Sequence, residues 1–166
     1  MALTAYAAWW FLPAVIPIAI YVSWSDMSAM KIPNKAVIAL IIAYAILGLF
    51  AFPFPVYVWQ WTHLIVMLLV GMLLNAARVM GAGDAKFIAA AAPMFALDDL
   101  RLIIILFASC LLAGFAVHRA AKFLGLRKLL PHWQSWQTGK RFPMGFPLSM
   151  TLLFYLVLVA TYRAPG

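Results

Sequence analysis

The stretch AVIALIIAYAILGLFAF, residues 36–52, contains no charged side chain and is too apolar for the surface of a soluble globule. Similar runs cover residues 5–25, 57–77, 101–118 and 143–162. Each run approaches the roughly 20 apolar residues that a bilayer-spanning helix needs. The chain of 166 residues is also 67% hydrophobic. This composition excludes a soluble protein and predicts an all-α polytopic membrane protein.

A sixth crossing is predicted where the short apolar segment AKFIAAAAPMFAL separates Asp84 from Asp98. Without it, the basic residues before this segment and the acidic pair after it would have to lie on one side of the bilayer. At ~1.5 Å per residue, a helix from Asp84 to Asp98 covers roughly 21 Å of a ~30 Å hydrocarbon core. We therefore expect six transmembrane helices in a single domain, residues 1–166, with Asp84 set below the inner membrane surface.

Once six spans are placed, most of the basic residues fall on one side of the bilayer. Ten of the twelve Lys and Arg residues fall on one side, which the positive-inside rule makes cytoplasmic. Both termini are then outside, and Asp98 and Asp99 are expected in a solvated outer turn. Basic loops beside apolar spans indicate contact with anionic lipid headgroups rather than with nucleic acid.

Two of the chain's four acidic residues are predicted to lie at matching depth at the cytoplasmic end. Asp26 closes the first span and Asp84 opens the fourth, and a carboxylate inside a span costs about 2.5–3.5 kcal/mol. A lone aspartate at a helix end is more often a cap or a surface group, so the pair carries the prediction. If the bundle brings the two together, they can share one proton and activate a water for peptide hydrolysis.

The spacing of the histidines and the cysteine does not support metal-dependent or nucleophilic catalysis. His63, His118 and His132 are far apart, and the single cysteine, Cys110, lies in an apolar run. Neither arrangement has the spacing of a metal site or of an activated nucleophile. We therefore expect no metal and no cofactor.

Two motifs around the aspartates resemble those of the type IV prepilin peptidase family of membrane aspartic proteases, which includes the archaeal preflagellin peptidases. The first is Asp26 followed by KIPN, residues 31–34, and the second is GAGDAK, residues 81–86. A late segment, FPMGFPL at residues 142–148, resembles the one that opens the family's last helix. The resemblance implies an endopeptidase of the bacterial inner membrane. Its aspartates, Asp26 and Asp84, would remove the short leader of prepilin precursors at the cytoplasmic face.

The short chain resembles the form associated with Flp-type, or tight-adherence, pili. Larger bacterial members carry an added cytoplasmic domain with paired Cys-x-x-Cys motifs and also N-methylate the trimmed pilin. Since this chain has neither that length nor those cysteines, the resemblance implies peptidase activity without methyl transfer. The expected partner is a prepilin, a membrane protein precursor with a single helix.

Further residues are candidates for shaping the site or binding substrate: Gly81, Gly83, Lys86, Lys31, Pro33 and Asn34. The two glycines are predicted to let backbones approach closely beside the second aspartate. Pro33 and Asn34 are expected to shape the turn into the second helix, with Asn34 satisfying local backbone groups or acting as a cap. The two lysines fit two interpretations equally well, either snorkelling to lipid headgroups or tuning the aspartates and holding substrate backbone.

The longest inner loop, residues 118–141, interleaves basic residues with leucine and tryptophan. This pattern predicts one or two helices in the interface plane that anchor the chain. A sharper hypothesis is that the loop gates the lateral approach of the substrate helix. Normal cleavage after deletion of residues 123–136 would reject it.

Two other functions remain open at this point. The first is an intramembrane protease of the presenilin or signal-peptide-peptidase type, which shares Gly-x-Gly-Asp, although KIPN after the first aspartate favours the prepilin family. The second is a small proton-coupled carrier in which the aspartates move protons across the bilayer. A carrier predicts carboxylates near the midplane, whereas both are expected here near one surface.

Overall fold

The computed structural model describes residues 3–124, 132–136 and 142–163. In these ranges the chain forms no strand, and its α-helices are α1 (Ala5–Ala29), α2 (Asn34–Ala51), α3 (Phe54–Ala76), α4 (Ala82–Ala91), α5 (Leu100–Phe123) and α6 (Gly145–Tyr162). The predicted all-α class is therefore confirmed. Short 3-10 turns occur at Ala92–Met94, Leu97–Asp99 and Gln134–Trp136.

Within the described ranges, five helices are long and apolar enough to cross a membrane, and α4 is the exception. The predicted sixth transmembrane helix is broken, since α4 has 10 residues and ends at Ala91. Pro93 lacks an N–H and cannot continue α-helical bonding, so the chain proceeds through two 3-10 turns to Asp99. Irregular backbone at membrane depth must pack against protein, and here Phe87 and Met94 are buried.

The core is built around α1, which packs most extensively against α6 and also against α2. Fully buried aromatic side chains, among them Phe11, Tyr44 and Tyr155, fill the space between these helices. Near the far end of α1, Ser23 Oγ and Ser149 Oγ lie 2.9 Å apart in the buried interface with α6. This packing sets the last turn of α1 against the first turn of α6.

The expectation that Asp99 is solvated is wrong, because only 6% of this residue is exposed. Its carboxylate accepts hydrogen bonds from the Tyr155 hydroxyl at 2.6 Å and from both Nη atoms of Arg163. Arg163 also donates to the carbonyl of Leu3 at 2.8 Å. The neighbouring Asp98 is exposed. These contacts tie the segment just before α1, the C-terminal part of α6 and the connection from α4 to α5 together at one end of the bundle.

We expect Arg163→Met to lower the melting temperature of the detergent-solubilised protein by about 5–10 °C. The substitution leaves the buried Asp99 carboxylate without its cation, which costs about 2–3 kcal/mol in the free energy of unfolding for a partly exposed pair. Arg101→Met is the matched control, since Arg101 is an exposed arginine near the same end of the bundle. Equal melting temperatures for the two variants would contradict a stabilising ion pair.

Candidate catalytic site

Asp26 lies in the last turn of α1 and is only 5% exposed. A carboxylate near the C-terminus of its own helix is electrostatically unfavourable. The N-terminus of α6 offsets this, because the backbone N–H groups of Gly145 and Phe146 donate to Asp26 Oδ2 at 2.5 and 3.3 Å. These N–H groups have no acceptor within α6 itself. A negative charge on Asp26 is therefore held by a helix N-terminus.

Gly145 is required by this close approach. A Cβ atom at Gly145 would lie 2.9 Å from Asp26 Oδ2 and 2.9 Å from Ile32 Cγ1, well inside van der Waals contact. The sequence pattern assigned no role to Gly145 or Phe146, and its only signal was the segment FPMGFPL. Both residues act through backbone N–H groups, which a pattern of side chains does not reveal.

Asp84 lies in the first turn of α4, three positions after the N-cap residue Gly81. Its carboxylate accepts a hydrogen bond from the Gly81 backbone N–H, as the acidic residue of a capping box does. The backbone of Gly81, with φ −67 and ψ 144, suits any residue. Space explains the glycine, because a Cβ there would lie 2.7 Å from Asp84 Oδ2. A Cβ at Gly83 would meet Ile32 Cβ at 3.4 Å, an ordinary contact.

Both carboxylates line one cavity of about 400 Å³. Its lining includes all but one of the residues proposed from the sequence, namely Asp26, Lys31, Asn34, Gly81, Gly83, Asp84 and Lys86. Pro33 is the exception and does not line the cavity. It is the N-cap residue of α2. Phe142, Pro143 and Met144 form the wall next to α6. Within the described ranges, no group of three or more His, Cys, Asp or Glu residues could hold a metal ion.

The surroundings of Asp84, which lies outside the five spanning helices, favour its protonated form. Burial and the neighbouring charge of Asp26 raise the pKa of Asp84 to about 6, against the opposing hydrogen bond from Gly81. Both carboxyl groups line the same cavity, so a negative charge on one opposes ionisation of the other. Such a pair can hold one proton between two carboxyl groups.

A hydrogen bond between two polar side chains that line the cavity connects α2 to α4. Lys86 Nζ donates to Asn34 Oδ1 at 3.4 Å. Asn34 was expected to satisfy local backbone groups or cap α2, but it is the first residue of the helix, and Pro33 before it forms no side-chain cap. The carbonyl of Lys31 accepts a hydrogen bond from Ser25 Oγ at 2.9 Å, which holds the turn between α1 and α2. Both lysines are exposed, as contact with substrate or with headgroups requires.

Ser135 and Trp136, in the described segment 132–136 of the long inner loop, are buried against protein. The ring of Trp136 is buried and stacks on His118 with centroids 4.5 Å apart and on Trp133 with centroids 5.9 Å apart. His118 also contacts Phe142, which lines the cavity, at 5.9 Å between centroids. Trp136 is therefore an internal contact rather than a lipid anchor. Residues 118–123 of the predicted loop instead continue α5, and residues 125–131 and 137–141, on which the rest of the predicted interfacial helices fall, lie outside the described ranges.

Comparison with known proteins gives one match. Residues 13–117, which make up more than half of the chain, match the model of the type IV leader peptidase family. The matched region contains both carboxylates and the two motifs around them, and it ends before α6 begins. No curated protein and no solved structure matches the chain.

Proposed function

The chain belongs to the type IV leader peptidase family, and from this we propose that it is an aspartic endopeptidase that removes the leader of Flp-type prepilins. Family membership and the apolar helices make it a multi-pass membrane peptidase. One observation carries the aspartic mechanism: Asp26 and Asp84, far apart in the chain, line a single cavity. Cleavage at the cytoplasmic face of the bacterial inner membrane is part of the proposal.

The distribution of charge supports this orientation. The cavity lies at the end of the bundle that carries Lys31 and Lys86, while Arg163 contacts Asp99 and Leu3 at the opposite end. Among the described residues, Lys31, Lys35, Arg78, Lys86 and Arg119 lie at helix ends on the cavity side, and positive charge in short loops favours the cytoplasmic side. Carboxylates at one end of the bundle also suit a peptidase better than a proton carrier, which needs access from both sides.

We assign the shared proton to Asp84 and the negative charge to Asp26. Asp26 accepts two backbone hydrogen bonds from the N-terminus of α6, whereas Asp84 accepts one, from Gly81, so the ionised form is better stabilised at Asp26. Asp26 takes a proton from a water as the water oxygen attacks the scissile carbonyl carbon, and Asp84 gives its proton to the carbonyl oxygen. The intermediate collapses when Asp26 delivers its proton to the leaving nitrogen and the C–N bond breaks. Asp84 regains its proton as the new carboxyl group forms.

We expect the cleavage rate to fall as the pH rises above about 6, approaching about tenfold per pH unit, because Asp84 then loses the proton that it must donate. The sign follows from the pKa of Asp84, which is raised from 3.8 to about 6, so that the protonated form persists up to that pH and is lost above it. The measurement is kcat/KM from about pH 5 to pH 8, with melting temperatures recorded at each pH to exclude unfolding. A rate that rises through this range would overturn the assignment of the proton to Asp84.

The experiment that tests the reaction is co-expression with a Flp-type prepilin, followed by mass spectrometry of the pilin product. We expect one cut between the leader and the apolar helix, and no added methyl group on the new N-terminus. A cut inside the apolar helix would instead identify a protease of the presenilin type. Intact precursor together with proton flux in vesicles would identify a carrier.

A further inference from the structure

An apolar groove lies between α3 and α5, with α4 as its floor and α6 behind it. The groove has a volume of about 340 Å³, and its mostly apolar lining includes Met67, Phe87, Ile88, Ile104, Phe107 and Leu148. It lies beside the catalytic cavity and extends away from it toward the opposite end of the bundle. The proposed mechanism makes no use of it.

Residues on one face of α4 line both the catalytic cavity and the groove. Asp84, Phe87, Ile88 and Ala91 are spaced at i, i+3, i+4 and i+7, so they lie on the same side of the helix. Asp84 lines the cavity, and the other three residues line the groove. A ligand lying along this face therefore has its inner end at the catalytic carboxyl group.

The beginning of α6 shows the same arrangement. Met144, the N-cap residue of α6, lines the catalytic cavity, while Leu148 and Thr151 line the groove at i+4 and i+7. Two separate helices thus each contribute residues to both the cavity and the groove. These helices also hold Asp84 and the backbone donors to Asp26, so the same two helices position the groove and both carboxyl groups.

The groove is open because α4 is too short to fill the space between its neighbours. In the spanning stretches of α3 and of α5, 11% of the residues are buried inside the protein, compared with 50% for α6. The groove wall formed by α5 includes Ile104, which is 59% exposed. A second helix can therefore pack here without displacing any described part of the chain.

We propose that this groove binds the apolar helix of the prepilin and holds its leader junction at Asp84. The inference rests on the proposed function and specifies where the substrate docks. The occupant is a membrane helix, because the groove lining is apolar, the groove lies between the two sparsely buried helices α3 and α5, and α4 and α6 line both the groove and the catalytic cavity. Its volume accommodates the side chains along one face of such a helix rather than the whole helix.

A pair of adjacent isoleucines on α5 provides a matched test of docking. Ile104 lines the groove, whereas Ile105 lies about 100° further round the helix and is not part of the lining. Their exposures are 59% and 53%, so we expect the larger tryptophan side chain to disturb folding equally little at both positions. We expect Ile104→Trp to raise KM for prepilin cleavage by about tenfold with kcat little changed, and Ile105→Trp to behave like the unmodified protein. Equal KM values for the two variants, as expected if lipid alone occupies the groove, would overturn the proposal.

Cross-linking tests docking independently of cleavage. Each cross-linking variant carries one new cysteine, at Ile104 or at Ile105. Cys110→Ala removes the chain's single native cysteine, and Asp84→Asn keeps the precursor uncut. We expect oxidation to join Ile104→Cys, and not Ile105→Cys, to cysteines placed along one face of the prepilin helix. If the unmodified enzyme cleaves the precursor but Ile104→Cys forms no such cross-link, the docking proposal is wrong and the peptidase function still stands. If Ile104→Cys forms the cross-link but the unmodified enzyme does not cleave the precursor, the peptidase function is wrong and the docking proposal is supported.

Discussion

Asp26→Asn and Asp84→Asn are each expected to slow prepilin cleavage by at least about a thousandfold while the protein remains inserted and folded. Asparagine keeps the shape of the side chain but can neither take a proton from water nor give one to the scissile carbonyl. The remaining aspartate cannot replace its partner, since one carboxyl group cannot be ionised and protonated at the same time. Both carboxyl groups line the same cavity, and each substitution removes one of the two groups that the proposed mechanism requires.

The measurement is a single-turnover cleavage rate with purified precursor in vesicles, with melting temperature as the check on folding. Asp98→Asn is the control, because it makes the same chemical change at an exposed residue near the opposite end of the bundle. It is expected to leave the cleavage rate unchanged. A rate near that of the unmodified protein in either Asp26→Asn or Asp84→Asn would exclude the proposed mechanism.

Gly81→Ala is expected to slow cleavage by about a hundredfold with little change in melting temperature. The backbone of Gly81 suits alanine, but the new Cβ would lie 2.7 Å from Asp84 Oδ2. Because that oxygen is the end of a flexible side chain, the carboxyl group can turn away at small cost to folding. It then no longer occupies the position that catalysis requires, and a displacement of about 1 Å is enough for an effect of this size.

Gly83→Ala is the matched control within the same motif. Its Cβ would meet Ile32 Cβ at 3.4 Å, and Gly83 lies inside α4, where alanine is favoured over glycine by up to about 1 kcal/mol. We expect the cleavage rate to stay within about twofold of that of the unmodified protein and the melting temperature to stay equal or rise. An equal loss of rate in both variants would show that the two glycines share a role unrelated to the position of Asp84.

The positions of the long helices could be predicted closely from composition. The apolar run at residues 36–52 corresponds to α2 at Asn34–Ala51, and the other long runs agree with their helices to within a few residues. The bilayer makes this possible, since a spanning segment must be apolar throughout and must satisfy its backbone hydrogen bonds internally. The broken segment after Asp84 was the exception, because its conformation depends on the helices packed around it.

Much of the candidate site could also be predicted from the sequence. Four acidic residues in a chain of 166 leave few candidates, and the motifs around Asp26 and Asp84 identified most of the cavity lining. The site's backbone donors could not be predicted in this way. Gly145 approaches Asp26 only because α1 and α6 pack together, and the pattern near Gly145 shows no chemically reactive side chain.

Local composition was therefore sufficient for the class of the protein, the long helices and the two carboxyl groups, because the cost of burying polar groups in lipid acts on each segment separately. Tertiary structure alone decided that Asp99 is buried against Arg163, that the N-terminus of α6 holds Asp26, and that a short α4 leaves a groove beside Asp84. These features join residues that are distant along the chain. Their energies depend on the distance and orientation of the partners, which exist only once the helices have packed.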